Sequence, residues 1–574
     1  MEKTKSLNDK VWSEYQNGLA FQKSMKFNTK FPEYERFKQG DQWPQATERT
    51  KALPRPVFNI VKMFVTNKKS NVLNQNIKMV FSAAETGKNS TLGEEANIHL
   101  TEGANMYTDF AYSLWNELDQ DELNDICVED AATNGTGFLH YYWDNDVKGG
   151  EIAPYKGALR GETIDALNIF VSNPQEKDIQ KQQWVIISSR MELAAVKAMG
   201  EKNGLKGTAL ALIVPDDDVS EEGYDTAKLE QDGSKKVTVL TKYYRKKGGL
   251  VYFVKCVKGV VIQEETCLTP HTEENKMQNI KGINLYPIAV FCWLQRKKCL
   301  WGYGEVEDII PNQKSINFNV GMMLLSVQDN SWPKLIVKPG ALRQNVTNMP
   351  GEILTDHYTS GDGVKYMQPP NFNYMAINLV DKVLELSRLV SGVTEVATGE
   401  QLGANMAASA IIALQNQAKV PIDNIQRRFY RTIKQVGRIW EQFFKSYYSL
   451  ERVITKDEIN GGQSVVNFLG TAYSDVEMKL KIDVGASSTY SESLGMATLD
   501  KMYDKGDLSV DDYVELAPDN VMPFKETLKK LRSAELEQAQ QLQSQMMQGG
   551  QLSEPMGQNL QTDYNMQKTG GIEY

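Results

Sequence analysis

The feature that most constrains this chain is a long segment, residues 406–448, with the periodicity of one amphipathic helix. Its 43 residues would extend about 65 Å at ~1.5 Å per residue if they were wholly helical. Beyond Pro421, apolar residues recur at spacings of three and four: Ile422, Ile425, Phe429, Ile433, Val436, Trp440, Phe443 and Tyr447. This spacing predicts a helix that buries one side along its length. Because proline has no amide proton, we expect Pro421 to kink the helix or to start a new one.

A row of basic residues follows the other side of this segment and consists of Arg427, Arg431, Lys434 and Arg438. We call it the basic row. Such a row is commonly a solvated face or a set of ion pairs with an acidic neighbour, and contact with nucleic-acid phosphates is the alternative. The sequence leaves both interpretations open. The chain as a whole has a net charge of −9, which excludes a basic DNA-coating protein.

Two further helices are predicted upstream, separated by a segment rich in proline and glycine. The first covers residues 305–330 and is entered through a loop that contains Pro311. The second covers residues 374–391. Between them, residues 334–338 and 364–367 are strand candidates. The pattern is a helix, a small β-rich insertion and a returning helix.

The returning helix carries two stripes of different chemistry. The apolar stripe is Leu379, Val383, Leu386 and Val390, widened by Val380 and Leu384, and the polar stripe is Asn378, Asp381, Glu385 and Arg388. Periodicity alone favours an ordinary amphipathic helix on a globular core. The alternative is a helix that packs against neighbours in an assembly and turns its polar face to a solvent-filled space. The acidic, glycine-containing residues 393–405 that follow do not favour a continuous helix.

The remaining chain divides by pattern. Residues 1–130 are predicted to be mostly helical, and residues 138–300 largely β, with glycine turns typical of a meander. Residues 476–484 alternate as a strand, and residues 491–532 favour short helices. The glutamine-rich C-terminal residues have no core-forming pattern, which predicts disorder beyond about residue 546.

Signatures of enzymatic chemistry are absent from the sequence. Gly87-Lys88 is followed by Asn89, and Ser82 stands where a phosphate-binding loop needs its first glycine. Four histidines and five cysteines without a CxxC pair predict neither a zinc site nor a disulfide framework. No apolar run approaches the ~20 residues that span a bilayer. We therefore predict a protein that is not an enzyme, holds no cofactor or metal and has no membrane contact.

Several stretches of the chain resemble portal proteins of tailed bacteriophages. They are Leu389–Ile412 (LVSGVTEVATGEQLGANMAASAII), Phe37–Trp43 (FKQGDQW), Arg55–Ile60 (RPVFNI) and Gly135–Asp144. The order of parts is similar as well: an α/β region, a helix, a β-rich insertion, a returning helix, an acidic loop, a long helix and a helical C-terminal region. The resemblance covers most of residues 30–535.

This resemblance implies a mixed α+β fold, elongated and built of several parts with long helices, and a ring that is usually a dodecamer. In the family's terms, the parts would be an N-terminal wing (1–302), a first stem helix (303–331), a β-rich clip (332–373), a second stem helix (374–393), a tunnel loop (394–405), a long kinked helix with a wing strand (406–490), a helical crown (491–546) and the glutamine-rich tail (547–574).

The resemblance also implies a function and partners. Double-stranded DNA would pass through the ring during packaging and ejection. The ring would dock the terminase large subunit, and later the head-completion, adaptor and tail proteins. The major capsid and scaffolding proteins would be further partners. The protein would sit at one vertex of the virion capsid, after assembly in the host cytoplasm.

Site residues follow from the same mapping. The tunnel loop carries Glu395, Thr398, Gly399, Glu400, Gln401, Gly403 and Asn405. The channel face of the stem would be Asp308, Asn378, Asp381, Glu385 and Arg388, and the docking residues of the clip Lys334, Lys338, Arg343 and Lys365. Acidic residues exceed basic ones in the stem and the loop. This excess would favour sliding, because each contact of Lys or Arg with a phosphate adds affinity for DNA.

Two other functions remain open from the sequence: another structural protein of the virion head, and a packaging enzyme such as a terminase-like ATPase or nuclease. The missing phosphate-binding loop counts against the ATPase. The helix–insertion–helix order and the long helix count against another head protein.

Overall fold

A computed structural model describes residues 2–83, 94–148, 157–216, 235–246, 248–270, 282–331, 335–343, 375–392, 408–457, 463–474 and 476–484, with short stretches inside 345–367 and 496–517. The chain divides into two compact units. The first comprises residues 1–454 and 467–487, and the second comprises residues 455–466 and 488–574. The predicted tunnel loop and the predicted disordered tail lie outside the described residues.

The N-terminal region is mainly helical, as predicted. Its elements are α1 (Glu2–Ser24), α2 (Phe27–Gln39), α3 (Ile60–Leu73), β1 (Ile77–Ala83), α4 (Glu94–Glu117) and α5 (Gln120–Asn134). Gly135 ends α5 with a φ of 97°, which L side chains rarely adopt. A Cβ there would lie 2.6 Å from the backbone of Gly302 and Tyr303, so the chain needs glycine at this crossing.

Two antiparallel sheets follow. Their strands are β2 (Thr136–Asp144), β3 (Ala158–Ile164), β4 (Ile169–Val171), β5 (Trp184–Glu192), β6 (Lys236–Arg245), β7 (Val251–Val257), β8 (Val260–Cys267) and β9 (Ile288–Cys292). One sheet has the order β4-β5-β6-β7-β8 and the other β3-β2-β9. The predicted meander is confirmed. The helices α6 (Leu193–Lys202) and α7 (Thr208–Ala211) after β5 were not predicted.

Helix α10 (Ala408–Tyr447) crosses the core of the first unit. The predicted apolar face is confirmed: its residues from Ile422 to Phe443 are buried, and Tyr447 is half-buried. The Trp440 ring meets Trp115 of α4 edge-on at 6.3 Å. Strand β14 (Met478–Val484) pairs with β1. A Cβ at Gly437 would lie 2.4 Å from the Leu480 side chain, so this glycine lets α10 approach the β1–β14 pair closely.

The predicted helix, β-rich insertion and returning helix are all present. They are α8 (Glu305–Ser331), β10 (Leu335–Val337) paired with β11 (Val364–Tyr366), and α9 (Met375–Ser391). The predicted entry loop at Pro311 is wrong, because this proline lies inside α8. An interior proline costs about 3 kcal/mol. Burial of Val306, Ile309 and Ile310 beside it outweighs that cost at ~1.5–3 kcal/mol each.

Pro421 likewise lies inside α10, so the prediction that a new helix could start there is wrong. The neighbouring Ile422 and Ile425 are buried and hold the next turn in place. A Cβ at Gly392, just after α9, would lie 3.5 Å from the Pro421 ring. The proline therefore packs on the end of α9 instead of ending the helix.

Strands β12 (Arg452–Asp457) and β13 (Gln463–Phe468) form a two-stranded sheet, and the second unit includes residues 455–457 and 463–466 of these strands. Its described residues within 496–510 are partly helical. The Tyr513 hydroxyl, a few residues further along the chain, donates to Asp500 at 2.5 Å.

Candidate channel and docking surfaces

Helices α8 and α9 pack side by side. Asn312 of α8 donates its Nδ2 proton to Ser387 Oγ of α9 at 3.0 Å. The covered side of α9 consists of Val380, Val383, Leu384, Ser387 and Ser391. The interpretation of the predicted apolar stripe as a face buried within the chain is therefore not supported, and the alternative of packing against neighbours in an assembly stays open. Of its four members only Val383 lies on the covered side.

The rest of α9 has two exposed faces. Leu379, Leu386 and Val390 are spaced by seven and four residues, which places them on one face, and all three are exposed. We call them the outer apolar stripe. Asn378, Asp381 and Glu385 form a second exposed face. Arg388, predicted to share that face, is half-buried at its edge.

Acidic residues of α8 have different environments. Asp308 is exposed, as predicted for the channel face; partial desolvation, then the charge of Glu307, raises the pKa of its carboxyl. Glu305 is buried and accepts from Lys68 Nζ at 2.5 Å. Glu307 pairs with Lys30 at 2.9 Å and with Arg296. Glu305 and Glu307 are thus neutralised, and the excess of negative charge on the predicted stem is smaller than the sequence indicates.

A cluster of neutral amides joins α8 to the loop of residues 41–59. Gln313 Oε1 accepts from the Ile60 amide at 2.9 Å, and its Nε2 donates to the Phe58 carbonyl at 2.7 Å. Asn317 donates to Gln42 Oε1 at 2.6 Å. Sequence analysis missed these residues. Their signal was two amides four residues apart on the apolar side of a helix.

The loop also approaches α8 at Gly321. A Cβ there would lie 3.4 Å from the Pro54 carbonyl and 3.8 Å from the Trp43 ring. Gly321 is nine positions after Asn312, and at 100° per residue the two residues lie about 180° apart around the helix axis. The loop and α9 therefore lie on opposite sides of α8.

The insertion between α8 and α9 has a short antiparallel ladder. Beyond it, the Lys338 amide donates to the Gly363 carbonyl at 2.8 Å, and the Gly363 amide donates to Asp356 at 2.9 Å. Lys338, Arg343 and Lys365 are exposed. Lys334 lies outside the described residues. Three of the four predicted docking cations are therefore accessible.

The basic row of α10 is exposed at all four positions. Within the part of the chain that the structure describes, none of the four cations forms an ion pair or a hydrogen bond. The interpretation of the row as ion pairs inside one chain therefore has no support among these residues. All predicted tunnel-loop residues, from Glu395 to Asn405, lie outside the described residues.

A comparison with protein families matches residues 15–569 to the family described as phage P22-like portal protein. The chain belongs to this family. A comparison with curated proteins finds no match. As a portal protein, it serves the head-to-tail DNA channel of a phage, in virion head assembly and DNA packaging.

Family membership decides among the functions left open by the sequence. Portal proteins are structural and not enzymatic, so the alternative of a packaging enzyme is not favoured. Among the described residues of this portal chain, no cluster of three or more His, Cys, Asp or Glu could hold a metal ion. No helix in the same part of the chain is long and apolar enough to cross a membrane.

Proposed function

We propose that twelve copies of this chain form a ring at one capsid vertex, with α8 and α9 as its stem. The observation that carries this proposal is the three-faced surface of α9. One face packs on α8, the outer apolar stripe is exposed beside it, and a polar face with Asp381 and Glu385 occupies the remaining side. An apolar stripe that is exposed to water does not stabilise a helix, whereas burial of the stripe against a neighbouring subunit would stabilise the assembly. The polar face is then left to line a water-filled channel.

The other parts are assigned by order along the chain. The wing comprises residues 1–302 and 406–490, the clip residues 332–373, the tunnel loop residues 394–405 and the crown residues 491–546. The α8–α9 pair with the β10–β11 ladder between its helices supports the stem and clip assignments. The ring would assemble in the host cytoplasm with the major capsid and scaffolding proteins.

The ring is tested by changing the outer apolar stripe. The variant Leu379→Asp/Leu386→Asp/Val390→Asp would leave the monomer folded, because the three side chains are exposed. It would prevent ring closure, because the carboxylates would be desolvated at the interface. Negative-stain electron microscopy and light scattering measure the outcome. The matched control is Asp381→Asn/Glu385→Gln on the polar face, which should still form rings. Rings in the aspartate variant, or none in the wild type, would contradict the proposal.

The channel role is tested by the charge of the polar face. Asp381→Lys/Glu385→Lys would add phosphate contacts in every subunit and slow the passage of DNA. We expect rings of normal size and a reduced rate of DNA packaging, with a larger reduction at low salt. Glu201→Lys, an exposed change on α6, is the control. An unchanged packaging rate in the double variant would argue against this face as the channel lining.

The clip is proposed as the docking face for the terminase large subunit and for the head-completion, adaptor and tail proteins. The exposed cations Lys338, Arg343 and Lys365 would attract acidic patches on these partners. Deletion of residues 340–362 should abolish terminase binding in a pull-down while rings still assemble. Binding retained by such rings would reject this role.

The tunnel loop is proposed to change conformation as DNA moves, with Gly399 and Gly403 supplying the backbone freedom. Alanine at both positions should impair packaging more than ring assembly. A normal yield of phage from the double variant would count against this role.

A further inference from the structure

The basic row is a charged surface that the proposed channel does not use. Its four cations follow one side of α10 from Arg427 to Arg438, a distance of about 16 Å for eleven steps of ~1.5 Å. All four are exposed and none is paired among the described residues. Four like charges at neighbouring helix positions repel one another. An anionic partner would therefore stabilise them.

An acidic surface with the same number of charges lies at the junction of α4 and α5. It consists of Glu117, Asp119, Asp121 and Glu122, and we call it the acidic corner. All four carboxylates are exposed, and none forms an ion pair or a hydrogen bond within the described residues. Asp121 and Glu122 lie in the first turn of α5, where negative charge is favourable. Glu117 ends α4, where a carboxylate is unfavourable, so the dipoles of the helices do not account for the whole cluster.

The two charged surfaces face away from each other. Trp440 of α10 contacts Trp115, two residues before Glu117 in the chain. At 100° per residue, the members of the basic row lie 120–180° around α10 from Trp440. The row therefore points away from α4, and the cations and carboxylates cannot meet within one chain.

We propose that in the assembled ring the basic row of one subunit pairs with the acidic corner of the next. This inference rests on the ring proposed above and names a second interface, separate from the α9 stripe. Two complementary surfaces on different sides of one chain make a head-to-tail contact, which can close into a ring. The second copy is favoured over DNA because the chain itself supplies a matching set of four opposite charges. Such pairs would mainly set the register and rate of association.

The test is a charge swap. One variant carries Arg427→Glu, Arg431→Glu, Lys434→Glu and Arg438→Glu; the other carries Glu117→Lys, Asp119→Lys, Asp121→Lys and Glu122→Lys. Each alone places like charges at the contact and should raise the protein concentration for half-maximal ring assembly by roughly tenfold or more. Mixed in equal amounts, the two variants can alternate around an even-numbered ring so that every contact joins opposite charges, and the mixture should assemble close to wild type. One chain that carries both sets should do the same. Assembly is measured by light scattering and electron microscopy.

The outcomes separate this inference from the ring itself. Wild-type protein that forms no rings contradicts the proposed function. Wild-type rings with both single-surface variants assembling normally, or a combined variant that stays impaired, contradict only the charge contact. A row variant that forms rings normally but loses affinity for a duplex DNA probe makes the row a DNA contact and overturns the proposal.

If the variants with four reversed charges do not fold, single neutral substitutions provide the test. Arg431→Gln and Asp121→Asn each remove one charge without introducing repulsion. We expect wild-type assembly to weaken as NaCl rises from low to moderate concentration, and each neutral variant to show a smaller salt dependence. Equal salt dependence in wild type and both variants would overturn the contact.

Discussion

Helix α9 and the second half of α10 have nearly the same sequence pattern and opposite environments. Each alternates apolar and polar residues at helical spacing. In α10 the apolar face is buried within the chain, and Trp440 is 0% exposed. In α9 the outer apolar stripe is open, and Val390 is 65% exposed. The same periodicity therefore serves the core of one subunit in α10 and an external surface in α9.

The difference separates folding from assembly. Side chains of α10 stabilise the single chain, and their loss should be visible in the unfolding of a dilute, unassembled protein. Side chains of the outer apolar stripe should matter only when copies associate.

The largest effect is expected for Trp440→Ala. Removing a large, fully buried aromatic side chain typically costs about 3–5 kcal/mol in unfolding free energy. Chemical denaturation of the monomer would measure it. The matched control is Leu389→Ala on α9, a side chain that is 77% exposed, with an expected change within ~0.5 kcal/mol. Equal losses in the two variants would remove the contrast between the helices.

A similar but smaller loss of unfolding free energy is expected for Lys68→Ala in α3, which removes the partner of Glu305 at the base of α8, its first turn. It would leave the Glu305 carboxylate buried without its cation, at a cost of about 3 kcal/mol. Lys314→Ala breaks the exposed pair of Lys314 with Glu33 and should cost no more than ~0.5 kcal/mol. Denaturation curves of both variants would show whether the base of α8 belongs to the folded core.

A pH-dependent effect is expected at Asp130 in α5. Burial, then the charges of Asp165 and Glu35, raises the pKa of its carboxyl from 3.8 to about 7. Because the folded-state pKa is the higher one, the stability from the protonated form is complete below about pH 4 and is lost as pH rises through about 7. Asp130→Asn should therefore be more stable than wild type at pH 8.5, by about 1–3 kcal/mol, and nearly equal to it at about pH 4.

Urea denaturation at the two pH values measures this difference. Asp381→Asn, on the exposed face of α9, is the control and should stay within ~0.5 kcal/mol of wild type at both. A constant difference between Asp130→Asn and wild type across the pH range would show that the carboxyl does not titrate there.

The smallest effect is expected for Leu379→Gln/Leu386→Gln in the outer apolar stripe. Because both side chains are exposed, the unfolding free energy of the monomer should change by less than ~0.5 kcal/mol. Thermal unfolding of a dilute sample would measure it. A loss above ~1.5 kcal/mol would mean that the stripe is covered within the chain itself.

Much of the architecture could be predicted from local pattern. The α10 face, the β6–β8 meander and the helix–insertion–helix order all depend on periodicity and turn residues, which are local properties. Strand β1 was missed because its partner β14 lies about 400 residues away. The entry loop expected at Pro311 and the new helix expected at Pro421 were wrong because buried neighbours outweigh the missing hydrogen bond. Local propensity does not include these tertiary contacts.

Less of the candidate site could be predicted from the sequence. Helical phase identified Asn378, Asp381 and Glu385 as one exposed face of α9. It could not show that Glu305 and Glu307 are neutralised by Lys68, Lys30 and Arg296, because those partners lie in distant segments. Nor could it find the hydrogen bonds of the amide cluster around Gln313, because Phe58 and Gln42 lie more than 250 residues away in the chain.

That amide cluster has a mechanical consequence. Gln313, Asn317 and Gln42 attach α8 to the loop of residues 41–59 through uncharged hydrogen bonds. Amide groups do not titrate, and counter-ions screen them far less than they screen ion pairs. This attachment would keep its strength while the ionic surroundings change as a head fills with nucleic acid.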